Sequence, residues 1–150
     1  LWFMNHFRID AALYEAYRST RYSAWIGDEG LVLRVDEANP TLERLMRREG
    51  VTSGCFVTAW NPRGEHSDNG TNRNANAQLL VALQEKGWQV FEGEGKGEAG
   101  DWPAEASYLV LGCSMDDASG LCVDFRQNAV LWFASDAIPK LLLHPDLEVA

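Results

Sequence analysis

An uninterrupted apolar run at residues 55–60 is the strongest feature of the hydrophobic pattern along this chain. Six residues without a charge, rich in β-branched and aromatic side chains, are typical of a strand buried on both faces, as in a parallel sheet between helices. Pro62 lacks a backbone N–H and biases Asn61 away from helical angles, so the strand must end there. A polar, asparagine-rich segment then continues to Arg73.

Apolar residues at helical spacing predict four helices, at residues 10–20, 39–50, 71–86 and 115–126. The expected N-caps are Asp10, Asn39 and Ser114. Shorter apolar clusters predict strands at residues 88–91, 107–112 and 128–133, and a hairpin formed by residues 21–26 and 31–35. This order contains two strand–helix–strand units, and we expect each to be a right-handed crossover. Residues 138–149 are interpreted as a short helix and tail packed on the outside.

The predicted elements form one domain that covers residues 1–150. We expect an α/β fold with a mixed, mostly parallel sheet, flanking helices, and an N-terminal helix followed by a β-hairpin. A chain of 150 residues is long enough to bury a full core. Residues 1–3 are interpreted as a cloning remnant before a natural start at Met4, and residues 137–150 as a peripheral C-terminal segment.

The charge and the hydropathy pattern exclude several classes of partner. The formal net charge is −9 and Lys and Arg form no cluster, so nucleic acid is not expected as a partner. No apolar run approaches the ~20 residues that a membrane-spanning helix needs, and the first residues lack the features of a signal peptide. Cys55, Cys113 and Cys122 lie in apolar segments and are interpreted as reduced core residues. We therefore predict a cytoplasmic protein without membrane contact.

No motif for a metal or a cofactor is complete. His6, His66 and His144 are scattered and no Cys-x-x-Cys pair is present, so neither a metal site nor a cofactor is predicted. Residues 95–100 satisfy the string G-x-G-x-x-G after a strand, but residues 101–103 do not begin a helix, and acidic neighbours would repel a phosphate. This segment is interpreted as a flexible acidic loop.

Polar side chains with binding chemistry follow the apolar strand, where open α/β sheets place ligands. Our leading hypothesis is a site for a small polar or anionic molecule at the loop from Asn61 to Arg73. The planar fork of Arg73 suits a carboxylate or phosphate, Asn61 would orient a polar group, and Trp60 or Trp102 would form an apolar wall. Glu105 is the one candidate general acid or base. The other predicted ligand-binding residues are Arg21, Asn69, Gln127 and Asn128.

Simpler structural roles compete with these assignments. Asn61 is suited to a turn, and the later asparagines are suited to capping the next helix. Glu105 is suited to an ion pair with Arg18 or Arg21. Each of these roles would account for the residue type without any ligand.

The direction of the strands decides whether the predicted site residues meet. Asn61 leaves its strand at the carboxyl end, whereas Glu105, Gln127 and Asn128 precede their strands. If all strands ran parallel, these residues would lie at opposite edges of the sheet. Only an antiparallel relation or a long loop would bring them together.

Several motifs together carry a resemblance to a known family: YRSTRY at 17–22, TAWNP at 58–62, Asn69 with Arg73, WPAEAS at 102–107 and QNAV at 127–130. In combination they are similar to a bacterial family of small proteins described as a domain of unknown function. The similarity extends from about residue 11 to residue 133 and implies a single compact bacterial domain. It brings no established activity or catalytic residue. Arg126 departs from the pattern, in which a glycine usually precedes the Gln–Asn pair.

The sequence leaves open whether the protein is an enzyme, because no complete catalytic motif is present. One alternative is a non-enzymatic interaction module whose acidic face, including residues 92–101, docks on a basic protein or mimics nucleic acid. The other alternative is a homodimer building block that pairs through an exposed apolar face at residues 141–143.

Overall fold

The computed structural model describes residues 7–98 and 103–150 of the chain. The helices are α1 (Ala11–Ser19), α2 (Pro40–Glu49), α3 (Asn69–Glu85) and α4 (Met115–Asp124), and a short 3-10 turn spans Pro62–Gly64. The strands are β1 (Phe7–Ile9), β2 (Arg21–Ile26), β3 (Glu29–Leu33), β4 (Gly54–Val57), β5 (Gln89–Lys96), β6 (Glu105–Leu111), β7 (Ala129–Phe133), β8 (Lys140–Leu143) and β9 (Leu147–Val149). The interpretation of residues 1–3 and Met4 falls outside the described residues.

The described strands form a seven-stranded sheet in the order β3-β2-β5-β6-β4-β7-β8, and β1 pairs with β9 in a separate two-stranded parallel sheet. Every neighbouring pair in the seven-stranded sheet is antiparallel. The α/β fold class and the β2–β3 hairpin are confirmed, but the expectation of a mostly parallel sheet is wrong.

The two predicted crossovers are present, but each skips one strand. β4 and β5 run in the same direction with β6 between them, and β6 and β7 run in the same direction with β4 between them. The segment from β4 to β7 therefore has the split β-α-β-β-α-β arrangement of ferredoxin-like folds. Hydrophobic periodicity identifies the elements of such a unit but not which strands are neighbours, and this explains the error in strand direction.

Helices cover both faces of the sheet. On one face α3 and α4 contribute Leu79, Leu83 and Leu121 to a core with Val57 and Val110. On the other face α2 packs its buried leucines and Met46 against a second core. The prediction that the apolar strand is buried on both faces is confirmed for β4, although its ladder ends at Val57 rather than at residue 60.

Local capping signals place the helix starts. The three predicted N-caps accept hydrogen bonds from the backbone of the first helical turn, and they are Asp10, Asn39 and Ser114. Ser114 and Asp117 form a reciprocal capping box. α2 ends at Gly50, whose φ of 68° lies in the left-handed region that glycine tolerates. No described helix is both long enough and apolar enough to cross a membrane.

The C-terminal segment forms strands, so the short helix predicted there is wrong. β8 pairs with β7 at the edge of the seven-stranded sheet, and β9 pairs with β1. Leu141 packs against one core and Leu142 against the other, and residues 141–143 are half-buried. A run of three leucines is too short for periodicity to separate a helix from a strand.

The turn before β7 offers a test of the family pattern. Arg126 has a φ of 58°, and an L side chain in this region costs about 1–2 kcal/mol relative to glycine. We expect Arg126→Gly to raise the free energy of unfolding by about 0.5–1 kcal/mol, because the greater entropy of glycine in the unfolded chain offsets only part of the strain. Urea denaturation measures this change.

Asp124→Gly is the matched control, since Asp124 ends α4 two residues earlier. In helical backbone glycine is less favourable than aspartate, so this variant should lose about 0.3 kcal/mol. A loss of stability in Arg126→Gly as well would contradict the strain at residue 126.

Candidate functional site

A cavity of about 560 Å³ lies between α1 and the sheet, on the face that α2 also contacts. Leu13, Ala16 and Tyr17 of α1 line one side, and the sheet supplies Phe56 from β4 and Leu131 from β7. A cavity of this volume is within the range of small-molecule sites, which combine apolar walls with a few placed polar groups.

Polar side chains interrupt the apolar lining of this cavity. Those at strand ends are Thr58, Asn61, Glu105, Ser107, Gln127 and Asn128. Among the described lining residues the charged side chains are Glu98 and Glu105. Glu98 forms an ion pair with Arg34, which leaves Glu105 as the charge available to a ligand.

Antiparallel pairing brings the predicted site residues to one edge of the sheet. β6 and β7 both run antiparallel to β4, so the start of each lies beside the end of β4. Asn61 therefore lies near Glu105, the first residue of β6, and near Gln127 and Asn128, which precede β7. The sequence left open whether these residues lie at the same edge of the sheet, and the antiparallel pairing brings them there.

Asn61 is fixed by a hydrogen-bond network with α3. Its backbone is left-handed, with φ 46° and ψ 66°, and the residue is 7% exposed. Its N–H donates to Asn72 Oδ1 (2.8 Å), and its Oδ1 accepts from Asn72 Nδ2 (2.8 Å) and from the Ser67 N–H (3.0 Å). The remaining group, Asn61 Nδ2, donates to Glu105 Oε1 (3.1 Å). Asn72 thus determines how Asn61 presents its amide to Glu105.

Asn76 lies one turn further along α3 and secures the residues before Asn61. The Ala59 N–H donates to Asn76 Oδ1 (2.8 Å), and Asn76 Nδ2 donates to the Ala106 carbonyl (2.9 Å). Thr58 Oγ1 donates to the same carbonyl (2.7 Å). These bonds join the end of β4, the start of β6 and α3 around the site.

Glu105 combines a half-buried carboxyl with the absence of a cationic partner among residues 7–98 and 103–150. Burial raises the pKa of Glu105 from its usual value of 4.5 to about 7, and the hydrogen bond from Asn61 lowers that pKa only in part. None of the ion pairs among the described residues involves Glu105: Arg18 pairs with Asp36 (3.2 Å), and Arg21 is exposed. A carboxyl with a pKa near neutrality can both accept and donate a proton at physiological pH.

Asn128 and Tyr17 form a second polar pair in the cavity. Asn128 is 3% exposed, its Nδ2 donates to Tyr17 Oη (2.8 Å), and its Oδ1 has no partner among the described residues. Burial raises the pKa of Tyr17, and the hydrogen bond from Asn128 acts in the opposite direction. A buried amide oxygen without a partner costs free energy, and this cost lowers the stability of the fold.

Gln127 has a structural contact in addition to its place in the lining. Its Nε2 donates to the carbonyl oxygens of Phe125 (3.1 Å) and Trp60 (3.4 Å). It therefore ties the turn before β7 to the loop after β4. Asn61, Glu105, Gln127 and Asn128 are the predicted site residues that the structure brings together.

Arg21, Asn69 and Arg73 are exposed, and none of them lines the cavity. Arg73 follows the inward-facing Asn72, and a rotation of about 100° per residue turns it away from the sheet. Asn69 begins α3 but does not cap it, because Asp68 accepts from the Thr71 N–H (2.8 Å).

The glycine-rich segment also contributes to the cavity. Gly95 lies in β5, and Gly95, Gly97 and Glu98 line the cavity. Residues 99–102, with the proposed Trp102 wall, lie outside the described residues, and Trp60 is not part of the lining. No group of three or more His, Cys, Asp or Glu side chains in the described part of the chain could hold a metal ion.

Sequence reasoning missed Tyr17 and Asn76, and it counted Asn72 only among the polar residues of the Asn61–Arg73 segment that could bind a ligand or cap the next helix. Asn72 and Asn76 are four residues apart in α3 and are both buried, so they share its inward face. Asparagines at that spacing on an otherwise apolar face were the available signal. Tyr17 lies within the YRSTRY motif, but its type and position do not by themselves distinguish a pocket residue from a core residue.

Comparison with known proteins identifies one family. The model of a family described as "Protein of unknown function (DUF3293)" matches residues 57–130, just under half of the chain. This segment is shorter than the 11–133 predicted, and it corresponds to most of the split β-α-β-β-α-β unit. Searches of curated proteins and of solved structures gave no match. The family match confirms the resemblance to a domain of unknown function that the sequence motifs predicted.

Proposed function

We propose that this protein binds a small molecule with an apolar body and a neutral or cationic polar head in the cavity between α1 and the sheet. The observation that carries the proposal is the cavity of about 560 Å³, whose apolar walls surround convergent polar groups that include Glu105 and Asn128. Glu105 has no cationic partner among the described residues, and Asn128 Oδ1 has no hydrogen-bond donor there. Of these two acceptors, the Glu105 carboxyl is the one that suits an N–H or O–H group of a ligand, since Asn128 Oδ1 is buried.

The charge of the lining favours a neutral or cationic ligand over the anionic one that the sequence also allowed. The charged side chains of the described lining are carboxylates, and Arg73 and Arg21 are not among the lining residues. Bringing a carboxylate or phosphate close to Glu105 in a site of low dielectric would be unfavourable. A polar ligand near Asn61 remains part of the proposal, whereas the anionic class gains no support from the cavity.

The acidic interaction module and the homodimer building block, the two alternatives from the sequence, stay predictions. Part of the acidic segment 92–101 lies outside the described residues. Residues 141–143 are half-buried and contribute side chains to both cores, so they offer less free apolar surface for a homodimer than the sequence suggested.

A thermal-shift screen with size-matched aromatic amines, amides, alcohols and carboxylates tests the proposal. A ligand at 100 times its dissociation constant adds about 2.7 kcal/mol to the stability. For a domain of this size we expect the unfolding temperature to rise by about 5–10 °C. Amines, amides or alcohols should stabilise the protein, and the matched carboxylates should not.

Ala16→Phe is the pocket-blocking variant, because Ala16 lines the cavity from an exposed position on α1 and the larger side chain would fill the space. Ala11→Phe is the matched control, since Ala11 is exposed on the same helix and does not line the cavity. Stabilisation that disappears in Ala16→Phe and persists in Ala11→Phe supports the cavity as the binding site. Equal stabilisation of both variants would place the ligand elsewhere.

A further inference from the structure

We propose that the cavity catalyses proton transfer at a carbon next to a carbonyl group, with Glu105 as the base and the Tyr17 hydroxyl as the donor to the carbonyl oxygen. This inference rests on the proposed function, since it requires a small molecule in the same cavity. It names the substrate class as neutral aldehydes or ketones with an apolar body.

The geometry at Glu105 is that of a positioned base. Asn61 Nδ2 donates to Oε1 (3.1 Å), and Oε2 has no hydrogen-bond partner among the described residues. The Asn61 amide is itself held by Asn72 and Ser67, so the carboxyl is oriented by a fixed group. Apolar side chains such as Phe56 and Leu131 line the same cavity, and they reduce the access of water to a proton acceptor there.

Tyr17 supplies the complementary donor. Its Oη accepts a hydrogen bond from Asn128 Nδ2 (2.8 Å), and its own proton has no acceptor among the described residues. If the Asn128 amide were turned over, Tyr17 would donate to Oδ1 and Nδ2 would be unpaired. We take the orientation that the structure shows, in which the unused donor is the Tyr17 hydroxyl. A donor of this kind stabilises negative charge that develops on a carbonyl oxygen.

The reaction uses one acceptor and one donor, and its atoms and electrons balance within the substrate and Glu105. The Glu105 carboxylate takes the proton from the carbon next to the carbonyl, and the C–H electron pair forms a C=C bond. The carbonyl π pair moves to oxygen, which accepts the hydrogen bond from Tyr17 Oη–H. Glu105 then returns the proton to the same carbon, or to the far end of a conjugated system. The net change is exchange or isomerisation, and no oxidant or reductant is required.

Hydrogen–deuterium exchange tests this chemistry without knowledge of the natural substrate. The probes are 2-tetralone, 2-indanone and acetophenone, incubated in D₂O with the full chain, and proton NMR follows the loss of the signal next to the carbonyl. Thermal shift with the same ketones measures binding separately. We expect exchange of at least one bound ketone to be faster than in buffer, with a rate that rises with pH as the carboxyl of Glu105 ionises.

The variants separate the two roles. Glu105→Gln keeps the shape of the side chain but removes the base, so the accelerated exchange should fall by about 100-fold or more. Tyr17→Phe should lower it by about 100-fold while the pH dependence remains. Glu92→Gln is the matched control and should leave the rate unchanged, because Glu92 is exposed on β5 and does not line the cavity.

The outcomes distinguish this inference from the proposed function. A ketone that stabilises the protein but exchanges no faster than in buffer overturns the proton transfer and leaves binding intact. If none of the three ketones stabilises the protein, the carbonyl class is wrong and the inference fails, while the wider ligand screen still decides the proposed function. Equal exchange rates in Glu105→Gln and wild type would also overturn the role of Glu105.

Discussion

Replacing Glu105 with glutamine should make the protein more stable at pH 8 and change its stability much less at pH 5. In the folded protein burial raises the pKa of Glu105 from 4.5 to about 7. Below pH 4.5 the carboxyl is protonated in both the folded and the unfolded state, so it contributes nothing to the pH dependence. Between these values the unfolded chain releases the proton first, and stability falls as the pH rises. Above about pH 7 the full penalty is present, and glutamine does not carry it.

The expected effect is large for a single substitution. A shift of this size corresponds to about 3 kcal/mol, and we expect about 2 kcal/mol because part of the carboxyl still reaches solvent. At pH 8 the unfolding temperature of Glu105→Gln should therefore exceed that of wild type by about 4–8 °C. Glutamine can still accept the hydrogen bond from Asn61 Nδ2 through its amide oxygen.

Urea denaturation at pH 5, 6, 7 and 8 measures the difference between variant and wild type. Glu92→Gln serves as the control, because Glu92 is exposed and the pH dependence of that variant should follow wild type. A difference for Glu105→Gln that stays constant from pH 5 to pH 8, or a loss of stability at pH 8, would rule out a raised pKa of Glu105.

This result bears on function because a neutral amide would serve the fold better than the carboxyl does. We expect the half-buried carboxyl to be destabilising above about pH 7, since no cation among the described residues compensates it. Backbone strain is a second unfavourable feature of this region. In the loop after β4 and the turn before β7, Asn61, Arg63 and Arg126 have positive φ values of 46°, 61° and 58°. Unfavourable features of this kind concentrate at functional sites.

Local sequence signals were sufficient for most elements of the fold. Asp10, Asn39 and Ser114 begin their helices as predicted, because an N-cap depends on hydrogen bonds within a few residues. The apolar run that contains β4 correctly indicated a strand buried on both faces. These features depend on residues within one helical turn or one strand and on which residues are buried. Local residue types and the hydrophobic pattern of the sequence indicate both.

Strand order could not be predicted in the same way. Burial on both faces suggested a parallel sheet, but helices cover both faces of this antiparallel sheet as well. Each crossover skips a strand, and that choice is made by pairing between segments far apart in sequence, such as β4 with β7. No residue type or spacing within β4 records which strand lies beside it.

The candidate site was predicted only in part, because its geometry also depends on strand order and direction. Asn61, Glu105 and Asn128 follow or precede apolar strands, so their position at strand ends was visible in the sequence. Their convergence depended on strand direction. Arg73 was selected for its chemistry, but its position on α3, one residue after Asn72, leaves it exposed. Asn72 and Asn76 are four residues apart, so they share one face of α3, and Arg73 does not lie on that face. This spacing would have placed the two asparagines in the site and removed Arg73 from it.

Asn72→Ala should be among the most destabilising single substitutions near the site. Asn72 is 1% exposed and makes three hydrogen bonds: Oδ1 accepts from the Asn61 N–H, and Nδ2 donates to Asn61 Oδ1 and to the Ser67 carbonyl. Alanine would leave buried polar groups of Asn61 and Ser67 without these partners. We expect a loss of about 2–4 kcal/mol, or about 5–12 °C in the unfolding temperature, which urea and thermal denaturation measure.

Asn74→Ala is the control, because Asn74 is exposed on the same helix and alanine has the higher helix propensity. It should change the free energy of unfolding by less than about 0.5 kcal/mol. An effect of Asn72→Ala no larger than that of Asn74→Ala would show that the hydrogen bonds of Asn72 contribute no measurable stability.

The same variant should also change the acidity of Glu105, and this outcome separates positioning from stability alone. The hydrogen bond from Asn61 lowers the pKa of Glu105 against the larger effect of burial. Without Asn72 the Asn61 amide is free to turn, this bond weakens, and the pKa of Glu105 should rise further above about 7. A carbon-13 NMR titration of the glutamate carboxyls in Asn72→Ala and Asn74→Ala measures this shift. An unchanged Glu105 titration in a folded Asn72→Ala protein would mean that α3 supports the loop without orienting the carboxyl.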